Sequence, residues 1–205
     1  TASQSGMFRQ LTGGLESVVS AIVEQMPSNV ILTTNALVRD ISYADAVYRY
    51  NVNGREETSD MLIISTPPAT YKDWFMGDIG FDGVRNMEQS SCAIAIMAFD
   101  KATFDGELKG SGLLITRKTD TPLTACTILN QKWPQTTPDD KIVLRVFIGK
   151  PGNDVVERYS DEELSALALK EIQRIMNFKA NPEWIKINRL IHCMPQYNVG
   201  HRAAI

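Results

Sequence analysis

Apolar residues at Leu15, Val18, Val19, Ile22, Val23 and Met26 recur at helical spacing behind Gly13-Gly14, and Pro27 stops the run, so the pattern predicts an amphipathic helix. The period then changes. Val30 to Thr33 and Leu37 to Ile41 read as short strands, and Val47, Tyr48, Arg49 and Tyr50 alternate up to an Asn53-Gly54 turn, which predicts a meander. Met61 to Ser65 is apolar almost throughout, the pattern of a strand buried on both faces in mid-sheet, and Thr66-Pro67-Pro68 ends it. Trp74, Phe75 and Phe81 lie in a Gly- and Asp-rich connection that ends near Gln89, where composition shifts; we place the domain change there, between 1–88 and 89–205.

The second half carries the stronger strands. Cys92 to Phe99, Gly112 to Thr116, Leu123 to Leu129 and Ile142 to Ile148 each read as one, with Lys132-Trp133-Pro134 in a loop between the last two. Ser160-Asp161-Glu162-Glu163 has the form of a capping box, and Leu164, Leu167, Ala168, Ile172 and Ile175 supply the buried stripe of the helix it opens. A final extended run, Trp184 to Ile191, leads into Met194-Pro195-Gln196-Tyr197-Asn198-Val199-Gly200-His201. Pro195 and Gly200 make that loop rigid and tightly turned, with an amide, a phenol and an imidazole between and beside them. Helices alternating with largely antiparallel strands predict an α+β fold, a mixed sheet packed with helices.

Composition narrows the function. The 205 residues suffice for one large domain or two small ones, and 43% hydrophobic with 22% charged residues is ordinary for a globular protein. A net charge of -3 gives no electrostatic reason to expect nucleic acid. Cys92, Cys126 and Cys193 are odd in number and widely spaced, which argues against a disulfide framework or zinc ribbon and fits a reducing cytoplasm. No apolar run is long enough to span a bilayer; peripheral contact with the cytoplasmic face of the membrane, through segments outside this chain, is left open, as is a homodimer.

Candidate chemistry is sparse. His192, Cys193 and His201 are the one cluster with metal-ligand chemistry, but neighbours on a strand diverge, so no metal site is expected. Neither a GxSxG elbow, a P-loop nor HExxH occurs, and Cys193 reads as a buried structural thiol. The carboxylates at Asp161 to Glu163 are accounted for by capping and the helix dipole. Trp133, stiffened by Pro134, either lines an aromatic pocket or packs a core. Lys132, Arg145, Lys186, Arg189 and Arg202 are cations suited to a carboxylate-bearing ligand, and spacing alone does not say which converge.

Taken in order, these pieces resemble the FAD-dependent porphyrinogen oxidases of haem synthesis, the protoporphyrinogen and coproporphyrinogen III oxidases of the monoamine-oxidase-like flavoprotein superfamily. The resemblance runs through Phe8-Arg9-Gln10-Leu11-Thr12-Gly13-Gly14-Leu15, Leu62-Ile63-Ile64-Ser65-Thr66-Pro67, Ala125-Cys126-Thr127 and Lys132-Trp133-Pro134. It continues through Leu144-Arg145-Val146-Phe147-Ile148-Gly149, the Ser160 capping box and the Pro-Gln-Tyr loop, and covers nearly the whole chain. Two family pieces are absent from these 205 residues: the GxGxxG turn that holds the flavin pyrophosphate, and the Gly-rich segment beyond the Gly-His pair. The chain thus looks like an internal portion of a longer protein. It also departs from bacterial relatives in carrying Arg189-Leu190-Ile191-His192 where they often have a Trp.

The resemblance implies an α+β flavoprotein portion, with part of the FAD-binding domain in 1–88 and the substrate-binding domain in 89–205. It implies that Val38, Ser65, Thr66 and Pro67 contact FAD, and that Lys132, Trp133, Gln196, Tyr197 and Arg202 face a porphyrinogen. Lys132 and Arg202, with Arg189 behind them, are then the expected propionate partners. FAD is expected in the longer protein and bound weakly or not at all by this chain alone. Oxygen is the expected acceptor. The flavin does the chemistry, so no side chain is singled out as catalytic.

Overall fold

The computed structural model describes residues 11, 13–67, 70, 74 and 82–204. Phe8, Arg9, Gln10, Thr12, Pro68, Phe75 and Phe81 lie outside the described residues. The chain divides into two compact units, residues 1–66 with 70–81, and residues 67–69 with 82–205.

In the first unit, α1 (Glu16–Glu24) forms where the apolar spacing predicts it. It buries none of its residues: Leu15 beside it is 79% exposed, Val19 62% and Ile22 58%. Three strands follow, β1 (Val38–Ala44), β2 (Val47–Val52) and β3 (Arg55–Ser59), paired antiparallel in the order β1-β2-β3. The Asn-Gly turn is as expected: Asn53 and Gly54 both take positive φ, 51° and 90°, the twist that joins two strands through two residues. The Asn53 side chain also reaches back, accepting from Leu37 N at 2.9 Å and donating to Asn35 O at 3.2 Å.

Two expected strands are corrected. Val30 to Thr33 and Met61 to Ser65 pair with no strand among the described residues, and Ile31 and Ile63 are 89% and 84% exposed. β-branched composition favours extended backbone, but only a hydrogen-bonding neighbour on either side makes a buried strand.

The second unit holds the core. After α2 (Asp82–Arg85), β4 (Gln89–Asp100), β5 (Gly112–Leu114), β6 (Leu123–Ile128) and β7 (Lys141–Ile148) form an antiparallel sheet with the last strand, β8 (Trp184–Pro195), in the order β5-β6-β7-β4-β8. Between them run α3 (Leu129–Lys132), a 3-10 turn at Pro134–Thr136, α4 (Val155–Arg158) and α5 (Asp161–Met176). The expected loop at Lys132-Trp133-Pro134 is therefore two short helical turns, the second begun by Pro134, whose fixed φ suits that position. α6 (His201–Ala204) ends the described chain.

The capping box at α5 is complete. Ser160 Oγ accepts from Glu163 N at 3.2 Å, and Glu163 Oε2 accepts from Ser160 N at 2.7 Å. The helix then lays Leu164, Ala168 and Ile172 on one face of the sheet, against Ala93, Ala95, Met97 and Phe99 of β4 and Leu144, Val146 and Ile148 of β7. Phe99, Phe104 and Phe178 close the far side of this core with ring centroids 5.0–5.5 Å apart. α5 stops at Asn177, which takes the left-handed conformation common at helix ends.

Candidate functional site

The strands of the second unit alternate, so while one face of the sheet packs α5, the other carries Ile94, Ile96 and Ala98 of β4 and Val143, Arg145 and Phe147 of β7. The register sets these out in rows. One row runs Leu114, Ala125, Phe147, Ile94, Asn188; the next runs Gly112, Thr127, Arg145, Ile96, Lys186; a third includes Val143, Ala98 and Trp184. Leu114 is 88% exposed and Trp184 50%, while Ile94, Ile96, Arg145 and Phe147 are half-buried. This face is apolar with two cations, and no Asp or Glu stands in the three rows. Arg145 has its guanidinium carbon 5.2 Å from the Phe147 ring centroid, and its buried Nε has no hydrogen-bond partner. The signal for Arg145 was in the sequence: a lone cation within the run Leu144-Arg145-Val146-Phe147, where every neighbour is apolar.

One end of the sheet holds the Pro-Gln-Tyr loop. Pro195 stands opposite Gln89 on the edge strand β8, where a missing N–H is tolerated. The chain then turns: Gln196 N donates to Glu88 O at 2.8 Å and Gln196 Nε2 to Ser90 Oγ at 2.8 Å. Gln196 thus spends its amide on holding the loop. Tyr197, 66% exposed, lies 4.9 Å from the His201 ring, and Gly200 at φ 92° lets the chain enter α6, where Arg202 is exposed. At the same end Gly149 passes the backbone of Ser91 so closely that a Cβ would sit 2.7 Å from Ser91 O, which explains the glycine four residues after Arg145.

A bulge interrupts the β4–β8 pairing between Ser90 and Cys92, and His192 takes a positive φ of 46° there. Ser91 Oγ donates to Glu157 Oε1 at 2.6 Å and accepts from His192 N at 3.0 Å. Cys193 is half-buried, not buried as expected, because the bulge turns it beside Cys92; burial first, and then the Cys193 thiol, raise the Cys92 thiol above its usual range. Cys126, in the core, is pushed up to about 12 by burial alone. Among the described residues, no three His, Cys, Asp or Glu side chains converge as a metal site would need.

Lys132 and Trp133 occupy the opposite end. Ile128, which precedes them, stands in the row of Met97, and Pro195 in that of Gln89, so at ~3.3 Å per residue the two motifs are separated by ~26 Å along β4. The structure sets Tyr197 beside His201, the residue before Arg202, and Lys132 with Trp133, whose ring centroid is 5.9 Å from Nζ, but does not bring the two motifs together. Arg189 is corrected as a propionate candidate. It points to the helical side, where Nε donates to Asp161 Oδ1 at 2.8 Å, and its other nitrogens donate to the carbonyls of Val156 and Tyr159. In the first unit, Val38 is half-buried at the start of β1, and Ser65 and Thr66 are exposed; Thr66 Oγ1 accepts from Thr70 Oγ1 at 2.7 Å. Pro67, grouped with the second unit, is exposed too.

An antiparallel sheet with one face packed by helices and the other open, in a chain that also carries a β meander in a separate unit, has known relatives. Residues 2–203 match the family described as flavin containing amine oxidoreductase, and the chain belongs to that family. It is 36% identical over 198 residues to the coproporphyrinogen III oxidase of Staphylococcus aureus, covering 96% of this chain and 42% of that protein. The Bacillus subtilis coproporphyrinogen III oxidase is 29% identical over 206 residues, with 44% of it covered. A crystal structure of an Exiguobacterium sp. 255-15 protein, described as a protoporphyrinogen oxidase, superposes with a TM-score of 0.84 at 29% identity over 98% of this chain and 44% of that one. UDP-galactopyranose mutase, at 15% identity and TM-score 0.65, shares the fold. The chain spans less than half the length of these relatives.

Proposed function

We propose that this chain is part of an FAD-dependent coproporphyrinogen III oxidase, with residues 89–205 forming substrate-binding structure and residues 1–88 part of the FAD-binding structure. The observation that carries this reading is the 36% identity to a protein of that name along 96% of the chain. The open face supports it. A porphyrinogen is a broad, apolar macrocycle fringed with carboxylates, and the rows around Ile94, Ile96 and Phe147 offer an apolar bed without competing acids. Lys132 and Trp133 would bound that bed at one end, Tyr197 and Arg202 at the other, with Gln196 holding the second end in shape.

The residues at hand fit a flavin. Ser65, Thr66 and Pro67 are small or donor-poor and exposed, with a bend at Thr66, so backbone could approach a cofactor there, and Val38 would offer an apolar contact for its adenosine part. FAD, when bound, supplies the hydride acceptor for the methylene bridges of the porphyrinogen, and oxygen is its reoxidant. The protein's own contribution is then to hold the macrocycle in place and balance its propionates. A homodimer and membrane contact belong to the same reading; the exposed apolar face of α1 supports contact with another surface, although no helix among the described residues is long and apolar enough to cross a membrane.

The test is a half-reaction. In the flavin-loaded protein that contains this chain, anaerobic addition of coproporphyrinogen III should bleach the flavin band, and air should restore it as porphyrin fluorescence rises. A fully flavin-loaded protein that coproporphyrinogen III leaves oxidised would overturn the reading.

A further inference from the structure

Resting on that reading, we propose that Arg145 and Lys186, one on either side of Ile96, are the pair of cations that engage two of the substrate's carboxylates on the open face, from β7 and from the edge strand β8. The β4 register puts Arg145 of β7 opposite Ile96 on one flank and Lys186 of β8 opposite it on the other, all three side chains on the same face. Two strand spacings separate the cations, about 10 Å between backbones, with the isoleucine between them. That is a layout for two anionic groups carried on one apolar body, since each cation can take its own carboxylate while Ile96, Ile94 and Phe147 meet the ring system.

Three observations favour an incoming anion over a structural role. Arg145 is the described residue with a buried, unpartnered side-chain nitrogen, its Nε. A charged guanidinium rarely gives up solvent without gaining an acceptor, and no described residue of this chain supplies one to that atom, which leaves it for an acceptor from outside the chain. Phe147, 5.2 Å from the guanidinium carbon, holds the head group in position from within the same strand. Arg189, the residue after Asn188 and so on the opposite face, shows the contrast: on the helical side its guanidinium is fully committed to Asp161 and two carbonyls.

The proposal makes the pair flanking Ile96, and not Lys132 and Arg202 at the two ends, the main determinants of carboxylate recognition. The test compares Arg145→Gln, Arg145→Lys, Lys186→Met and Lys132→Met in the flavin-loaded protein that contains this chain. Two readouts are used: fluorescence titration with coproporphyrin III, and steady-state oxidation of coproporphyrinogen III against its tetramethyl ester. Arg145→Gln and Lys186→Met should each weaken coproporphyrin III binding about ten-fold, raise KM more than they lower kcat, and leave the ester within about two-fold, because each removes one charge-assisted pair. Arg145→Lys should recover part of the loss, and Lys132→Met should cost less than either. Equal losses on acid and ester, or unchanged binding in both Arg145→Gln and Lys186→Met, overturn the inference. Should Arg145→Gln melt at a lower temperature, Lys186→Met, on the exposed edge strand, decides alone. An unsubstituted protein that neither binds nor oxidises any porphyrinogen overturns the functional reading itself, an outcome separate from an active protein whose variants behave alike.

Discussion

Replacing Arg189 with methionine should damage stability and spare substrate recognition, and the size of the damage can be worked from its contacts. The guanidinium ties the edge strand β8 to the turn between α4 and α5, donating to Asp161 Oδ1, Val156 O and Tyr159 O. The ion pair contributes little, because Asp161 is 58% exposed and solvent screens it. The carbonyl bonds contribute more. They involve a charged donor on a side chain only 25% exposed, and a methionine would leave two acceptors at the end of α4 unserved. Charge-assisted bonds of this kind are each worth about 1.5 kcal/mol at the low end of their range, so a total loss of about 3 kcal/mol is expected. For a cooperatively unfolding unit of about 150–250 residues that corresponds to a Tm lower by about 6–12 °C. The assay is urea denaturation of the two proteins followed by far-ultraviolet circular dichroism, with KM for coproporphyrinogen III measured well below the lower transition. A variant that keeps its denaturation midpoint and loses substrate affinity would refute the reasoning and return Arg189 to the binding face.

Three further outcomes are expected. Ser160→Ala removes the acceptor for Glu163 N in the capping box and should cost about 1 kcal/mol in the same denaturation assay, while Ser165→Ala, whose Oγ only bonds back to Asp161 O within the helix, should cost less. The Asp105 carboxylate accepts from Lys179 N and Ala180 N, and these bonds hold its pKa below the usual carboxylate range. Its contribution is therefore fully present above an ordinary aspartate pKa of about 3.9 and disappears as pH falls through the depressed value, so the stability gap between the unsubstituted protein and Asp105→Asn should close below that point; a gap that persists unchanged in acid contradicts the assignment. Val19→Glu with Ile22→Lys on the exposed face of α1 should lower self-association in sedimentation velocity, and an unchanged concentration dependence would show that this face makes no contact between copies.

How much of this could be read from the sequence follows the range of the interaction concerned. α5 was legible to its cap because Ser160, Glu163 and the Leu164, Ala168, Ile172 stripe are local signals, and the Asn53-Gly54 hairpin for the same reason. Strands β4, β6, β7 and β8 were legible because each carries its own alternation or apolar run. Met61 to Ser65 misled because an apolar run announces burial without saying what does the burying, and within this chain no strand among the described residues stands beside it. The site was hardest. Lys132 and Gln196 sit in the most distinctive motifs, yet registry puts them at opposite ends of one sheet; Arg145 and Lys186, 41 positions apart and in no motif together, flank a single strand in one row. Motif strength reports how constrained a local backbone is, as Gly149 against Ser91 and Gln196 against Ser90 show. Convergence of charge is a property of strand order, β7-β4-β8, which no local pattern encodes. The cations that matter for an anionic substrate are for that reason better sought by register on an open sheet face than by proximity to a memorable tripeptide.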